Sequence, residues 1–307
     1  WVIDEVPNQP LDAPMFTMQE DSLPVVGVSY WEAEAFCHFV GGRLPTEAEW
    51  EKAASWGDGV SRPNLYPWGN TASRDLPANG WNTETEGFSN LLPIDDPSHA
   101  EDVSRYGVYG MGGNAQEWVA DFYDPQYYLE SFEKDLRNPL NRISRRWDFD
   151  ETIGKTLPLE LAVRGSHFIQ NTLDFEKFRC AKRYQENLFA RRNNLGFRVV
   201  WDTVPEPSPT PVIRDEAPGA AVQIPSGVYQ IGTNQGTPSQ VGPNNWEHPR
   251  HEICLPNSIW IGMYEVTWGE YKKFMEMGGY GDPSGDKPEW WSDEGWRWRT
   301  RPPCSGG

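Results

Sequence analysis

The sequence predicts a mixed α+β fold of few short helices and short strands, with much of the chain in loops. Sixteen Trp, 29 Gly and 27 Pro among 307 residues describe an interior anchored by aromatic rings rather than by long helices. Three capping-box patterns, Ser29/Glu32, Thr46/Glu49 and Thr267/Glu270, each open a helix. From Gly57 to about residue 202 the chain reads mostly as loops and short strands.

Ser29 opens the first helix, which runs to about Val40 and places Trp31, Ala35 and Phe39 on one face. The second begins in Gly42-Arg43-Leu44-Pro45-Thr46-Glu47-Ala48-Glu49-Trp50-Glu51. Thr46 caps its first turn, and Glu49 reaches back to the Thr46 amide. Pro45 fixes the approach, and the three glutamates lie where the helix dipole favours negative charge. This helix ends near Gly57. Residues 196–201 form a terminal strand, and the charged stretch 139–162 reads as an insertion. Val204-Pro205-Glu206-Pro207-Ser208-Pro209-Thr210-Pro211 makes 203–221 a stiff, extended linker. Beyond it, 224–232 reads as one strand, and 259–267 leads into a helix at Trp268 that carries Tyr271 and Phe274.

Forty-five acidic against 27 basic residues give a net charge of −18, which argues against nucleic acid and anionic membranes as partners. No apolar run reaches the roughly 20 residues of a spanning helix, so membrane insertion is not expected. No signal peptide opens the chain. It begins with Trp and ends in Ser305-Gly306-Gly307, so it reads as a piece of a longer protein with other domains. Cys37, Cys180, Cys254 and Cys304 form no CxxC pair, which makes a zinc cluster or a disulfide framework unexpected. Cys37 reads as a buried, inert thiol.

Several words of this sequence occur together in one family. Besides the run at 42–51 they are Tyr66-Pro67-Trp68-Gly69, Tyr106-Gly107-Val108-Tyr109-Gly110-Met111-Gly112-Gly113-Asn114-Ala115-Gln116-Glu117-Trp118, Val163-Arg164-Gly165-Ser166 and Asn194-Leu195-Gly196-Phe197-Arg198. In this order they resemble the sulfatase-modifying-factor family, whose best-known members are formylglycine-generating enzymes. The resemblance implies a variant of the C-type-lectin-like fold, α+β, low in regular structure, with short antiparallel strands and a broad surface groove. Residues 1–202 resemble the later two-thirds of such a domain and 222–307 its first third, with no segment present twice. Either a tandem array has been cut within its repeats, or one domain is circularly permuted. In both cases 222–307 is expected to pack on 1–202 as one core.

The resemblance also implies sites. One calcium ion would be held by Asn79, Gly80, Glu86 and Phe88, and a second by Gly113, Ala115 and Glu117; oxygen ligands suit this hard cation. The family has Asp where Glu86 stands, and Asn at Gly110, so the second site loses a side-chain oxygen. Formylglycine-generating enzymes bind copper through two cysteines, and soft thiolates suit Cu(I). Here Gln170 and Phe175 occupy those positions, and Cys180 lies beyond them. His167 with Cys180 would make at most an unorthodox metal pair. The sulfoxide-synthase branch uses iron held by a His-x-x-x-His-x-Glu motif, whose spacing none of the five histidines has, and His248 with His251 reads as a structural pair. No phosphate loop or nucleophile elbow is present. Trp118, Arg164, Phe168, Tyr184 and Arg198 would line a groove for peptide, protein or glycan, although the two arginines equally suit buried ion pairs.

The function expected is a calcium-stabilised, non-catalytic binding or structural module. The alternative is an oxygen-dependent copper or iron oxidase of the formylglycine-generating or sulfoxide-synthase type. Extracytoplasmic placement is preferred because calcium is plentiful there.

Overall fold

The computed structural model describes residues 20–71, 78–80, 90–124, 127–128, 149–150, 155–156, 160–170, 174–205, 221–234, 247, 249–282 and 284–300. Among the described residues, four short α-helices and eleven short strands are complete, and the fold is α+β and C-type-lectin-like.

Helix α1 (Tyr30–Phe39) starts at Ser29, whose hydroxyl accepts from the Glu32 amide while the Glu32 carboxylate accepts from the Ser29 amide at 2.8 Å. Helix α2 (Glu47–Ser55) repeats the box with Thr46 and Glu49. All nine residues of α2 are buried, so an element with three glutamates lies inside the molecule. Helix α3 (Trp268–Glu276) is capped by Thr267 and Glu270, and buries Trp268, Tyr271 and Phe274. Helix α4 (Asp293–Arg299) is an addition to the sequence reading. Ser292 caps it, two acids occupy its first turn and two arginines its last, which complements the dipole at both ends.

The main sheet has the order β5-β4-β1-β6. Strand β1 (Gln116–Phe122) pairs antiparallel with β4 (Glu160–Arg164), which pairs antiparallel with β5 (Tyr184–Asn187). On the other side, β1 runs parallel to β6 (Leu195–Phe197). Gly196 is required here, because a Cβ at this position would stand 2.4 Å from the Val25 carbonyl oxygen. A second sheet sets β11 (Ile259–Gly262) between β7 (Val200–Trp201) and β8 (Ala221–Ile224), antiparallel to both. Strands β9 (Gly227–Ile231) and β10 (His251–Leu255) form a hairpin, and β2 (Phe149–Asp150) pairs with β3 (Lys155–Thr156).

Three boundaries differ from the sequence reading. The strand read at 196–201 is two strands in two sheets, because Arg198 turns inward to an ion pair and Val199 gives its carbonyl to Gly262. The strand read at 224–232 breaks at Pro225 and Ser226 into β8 and β9. The stretch 139–162, read as an insertion, ends inside the main sheet: Leu161 and Ala162 are buried residues of β4. Linker residues 206–220 lie outside the described residues.

Aromatic packing joins the segments on either side of that linker. Phe36 of α1 stacks on Tyr271 of α3 at 5.4 Å and meets Phe197 of β6 and Phe274 edge-on. Trp291 and Trp298 are buried in the same cluster. A second cluster sets Trp50 and Ala53 of α2 with Val119, Tyr229, Ile231, Ile253 and Ile261. Polar bonds cross as well: Tyr280 donates to Glu32 at 2.7 Å, and the Gly232 amide to Glu51 at 2.7 Å.

A protease site placed in 206–220 tests the dependence of the two segments on each other. After cleavage they are expected to co-elute on size exclusion and to unfold in one transition, since each would otherwise expose large aromatic side chains worth about 1.5–3 kcal/mol apiece on burial. Two pieces that separate and remain folded would contradict this.

Candidate functional site

A concentration of buried charge with an unpaired carboxylate lies where β1 and β6 meet the loop 102–113 and the turn after β11. Glu117, on β1, is fully buried and accepts from Arg198 Nη2 and Nε, both at 2.6 Å, and from Trp50 Nε1 at 2.8 Å. Arg198 also donates to the carbonyls of Tyr109 and Gly262, at 3.0 and 3.1 Å. Asp102 accepts from the amides of Gly112 and Gly113, yet burial pushes its pKa up to about 7. Glu265 is 2% exposed, and neither carboxylate oxygen has a hydrogen-bond partner. Burial drives its pKa up, against the pull of Arg198 and together with the repulsion of Glu117 and Asp102.

Gly110 explains how Glu265 fits. Its φ is +70°, and a Cβ there would stand 2.7 Å from Glu265 Oε2. The Glu265 carboxylate therefore occupies the space that a side chain at position 110 would fill. Three carboxylates face one guanidinium, which leaves the centre short of positive charge when all are ionised. An uncompensated buried charge is costly, and a divalent cation would balance it. No group of three or more His, Cys, Asp or Glu that could hold a metal ion occurs among the described residues, so carbonyl oxygens would have to supply much of any coordination shell.

The residues expected at calcium sites are only partly in view. Asn79 is buried and donates to the Asn90 carbonyl and to Asn114 Oδ1, at 2.8 and 2.9 Å; Gly80 follows it. Glu86 and Phe88 lie outside the described residues. Gly113 and Ala115 are buried beside Glu117, and Asn114 between them takes a left-handed φ of 65°. Both Glu117 oxygens are committed to Arg198 and Trp50. The carboxylate here without a partner is Glu265.

At the positions of the family's cysteines the side chains are of another kind. Gln170 closes a turn by donating its amide to the His167 carbonyl, and Phe175 packs in a cluster with Tyr66 and Phe178. Cys180 is buried in the core with Trp50 and Val200, and burial pushes its thiol well above the usual value. That is the opposite of a poised thiolate. His167 Nδ1 accepts from the Ile169 amide at 3.2 Å, which sets the proton on Nε2. Burial, then Lys177, hold its pKa at about 4. His251 is buried and bonds the Pro249 carbonyl, while His248 lies outside the described residues.

The groove assignment needs correction at Trp118, and for Arg164 and Arg198 the buried ion-pair alternative holds. Trp118, Arg164 and Arg198 have no exposed surface and line no groove. Trp118 faces the core and donates Nε1 to the Val28 carbonyl at 3.0 Å. Arg164 bonds Glu51 at 2.7 Å and the Cys180 carbonyl at 2.6 Å, because a buried helix carrying glutamates needs a cation there. Phe168 and Tyr184 remain half-buried, and Ile169, which follows Phe168 in the chain, is 48% exposed. Asp102 and Glu265 were missed. The word Glu265-Val266-Thr267 reads as a lead-in to a helix cap, and only the fold sets it beside Gly110.

A family model described as a sulfatase-modifying factor enzyme 1-like domain matches residues 5–203 and again 207–305. Formylglycine-generating enzyme of Mus musculus is 31% identical over 191 residues, covering 59% of this chain and 45% of that protein. Inactive C-alpha-formylglycine-generating enzyme 2 of the same organism is 38% identical over 110 residues, 34% of this chain and 33% of that protein. Hercynine oxygenase of Mycobacterium tuberculosis is 39% identical over 96 residues, 31% of this chain and 21% of that protein. The chain thus spans less than half the length of these relatives.

Arg198→Met would leave Glu117 buried and unpaired, and is expected to cost about 3–5 kcal/mol in urea unfolding; a loss below 1 kcal/mol would show that the pair is dispensable. His167 carries a pH signature. Its folded pKa lies below the ordinary histidine value, so between pH 4 and 6.5 the unfolded chain binds the proton that the folded chain refuses. Stability therefore falls as pH drops through this window. His167→Gln is expected to lose less stability than the parent between pH 7 and 4.5, and equal losses would contradict the assignment.

Proposed function

Since the chain belongs to the sulfatase-modifying factor family, we propose that it is a calcium-stabilised, non-catalytic module that binds peptide or glycan. The observation that carries this reading is the chemistry at 170 and 175. An oxidase of the formylglycine-generating type needs two thiolates on one copper ion. Gln170 offers an amide and Phe175 an aromatic ring packed on Tyr66 and Phe178. Cys180, the nearby thiol, is committed to the core.

Calcium fits the donor set. The Glu265 carboxylate is orphaned next to Gly110, and the carbonyls of Gly113 and Ala115, which the family resemblance assigns to calcium, would contribute further oxygens. When bound, the ion would supply the positive charge that Asp102, Glu117 and Glu265 together lack. Arg198 would keep Glu117 oriented, and Gly110 would keep the space clear. Asn79 and Gly80 would belong to a separate calcium site with Glu86 and Phe88. Ligand contact would fall on the partly exposed Phe168, Ile169 and Tyr184, whose apolar surface suits a peptide side chain or a sugar face. An extracytoplasmic location, where calcium is abundant, suits this reading. Among the described residues no helix is long and apolar enough to cross a membrane.

Metal analysis after dialysis against a mixture of calcium, copper and iron salts tests the proposal. Calcium is expected to be retained, and at about a hundredfold excess over its Kd to stabilise the chain by about 2.7 kcal/mol, seen as a rise in Tm of several degrees. Glu265→Gln is expected to abolish most of that rise while leaving the calcium-free protein at least as stable as the parent. Stoichiometric copper or iron, with oxygen uptake on a thiol substrate, would establish the oxidase reading instead.

A further inference from the structure

We infer that Glu265 makes its calcium site a cross-link between the two segments, so that metal binding sets how tightly 221–300 holds to 20–205. This rests on the reading of Glu265 as a calcium ligand and adds a regulatory role to that site. Glu265 stands where the main chain of one segment is tied to the other. The Gly262 amide donates to the Val199 carbonyl at 2.8 Å, the Val266 amide to the Phe197 carbonyl at 2.9 Å and the Trp268 amide to the Leu23 carbonyl at 2.7 Å. In the opposite direction, the Tyr109 amide donates to Met263 and the Val25 amide to Val266, both at 2.8 Å. Tyr109 and Tyr264, the chain neighbours of Gly110 and Glu265, stack across the same seam at 5.1 Å.

Within this stitching the charge is unbalanced. Glu265 is 2% exposed, and neither of its oxygens has a hydrogen-bond partner among the described residues. Its oxygens lie 2.7 and 2.8 Å from where a Cβ of Gly110 would stand, so the carboxylate abuts the first segment's loop 102–113. Asp102 holds that loop through the amides of Gly112 and Gly113, at 3.0 and 3.1 Å. Arg198 is already committed to both oxygens of Glu117. The second segment therefore brings a third carboxylate to a centre with one guanidinium. Its docking is opposed by like charge unless a cation joins it.

Neither segment alone carries the whole donor set. Glu265 belongs to one, and the carbonyls of Gly113 and Ala115 belong to the other. A ligand that binds only the joined segments tightens their association by the factor 1 + [Ca]/Kd, and the association tightens the ligand in return. The other expected calcium site differs in kind. All of its residues, Asn79, Gly80, Glu86 and Phe88, come from the first segment, so it forms no bridge across the seam.

The full chain, cut at a protease site in 206–220 with both pieces retained, tests this by dilution. Dissociation is followed by size exclusion, in urea sufficient to bring half-dissociation of the calcium-free protein into the micromolar range. Calcium at a hundredfold excess over its Kd for the uncut chain is expected to lower the half-dissociation concentration about a hundredfold. Glu265→Gln should remove most of this shift, and Glu86→Gln should keep it. If Glu265→Gln does not fold, the parent and Glu86→Gln decide. A half-dissociation concentration that calcium leaves unchanged, a shift that survives Glu265→Gln, or one lost in Glu86→Gln would each overturn the cross-link. Calcium content of the uncut chain separates the two claims. Retention without a shift removes the cross-link alone, whereas a chain that retains no calcium removes the calcium reading itself.

Discussion

Helix α2 lies wholly inside the molecule although three of its nine residues are glutamates, so the interior closes only where each is met by a cation. Arg183 takes both oxygens of Glu47 at 2.9 and 2.6 Å, and Arg43 both of Glu49 at 2.7 and 2.8 Å. Arg164 reaches Glu51 at 2.7 Å and Glu47 at 3.4 Å. In α1, Glu32 is met by Arg191 at 2.6 Å. These arginines come from β4, from the stretch 183–191 and from the turn before α2, so the pairing fixes distant parts of the chain relative to one another. Withdrawing each ion from water costs several kcal/mol, which the pair roughly returns. The gain lies in specificity: a wrong register would leave a bare charge in the core.

The second segment enters this scheme as a structural necessity. Strand β11 fills the middle of a sheet whose edge strands lie on either side of the linker, and Tyr280 completes the bonding of Glu32. Arg198, after β6, spends its terminal nitrogens on Glu117 and on carbonyls of Tyr109 and Gly262. The carboxylate centre is itself shared, since Glu265 comes from one segment and Asp102, Gly110 and Glu117 from the other. The aromatic, ionic and candidate binding features of the fold thus converge on the seam.

Local chemistry was readable in the sequence, and long-range chemistry much less so. The capping boxes at Ser29, Thr46 and Thr267 placed three helices within a residue or two, because a cap is a contact over three positions. Helix α4 has the same kind of start at Ser292 but is only seven residues long and rich in Trp, so periodicity gave no help. Strand limits at 198 and 225 depended on an ion pair and on a sheet change, neither visible in a local window. Trp118 was misplaced on a surface and Arg164 was left between surface and core, because aromatic and basic side chains serve a groove and a polar core equally well. Only the partners, Val28 and Glu51, decide between these. Glu265 was out of reach for a related reason: its importance lies in the missing side chain of Gly110, 155 positions earlier.

The order in which the chain is made bears on the position of β11. Synthesis proceeds from the N-terminal side at about 5–20 residues per second, so the residues up to 205 leave the ribosome several seconds before α3 and α4 do. During that interval the apolar faces of Phe36, Phe197 and Trp50, and the edge of β7, have no cover within this chain. A nascent chain in that state must be shielded by a chaperone, by neighbouring polypeptide or by its own loose collapse. Vectorial synthesis thus makes the last third of the chain the step that commits the molecule to its native state.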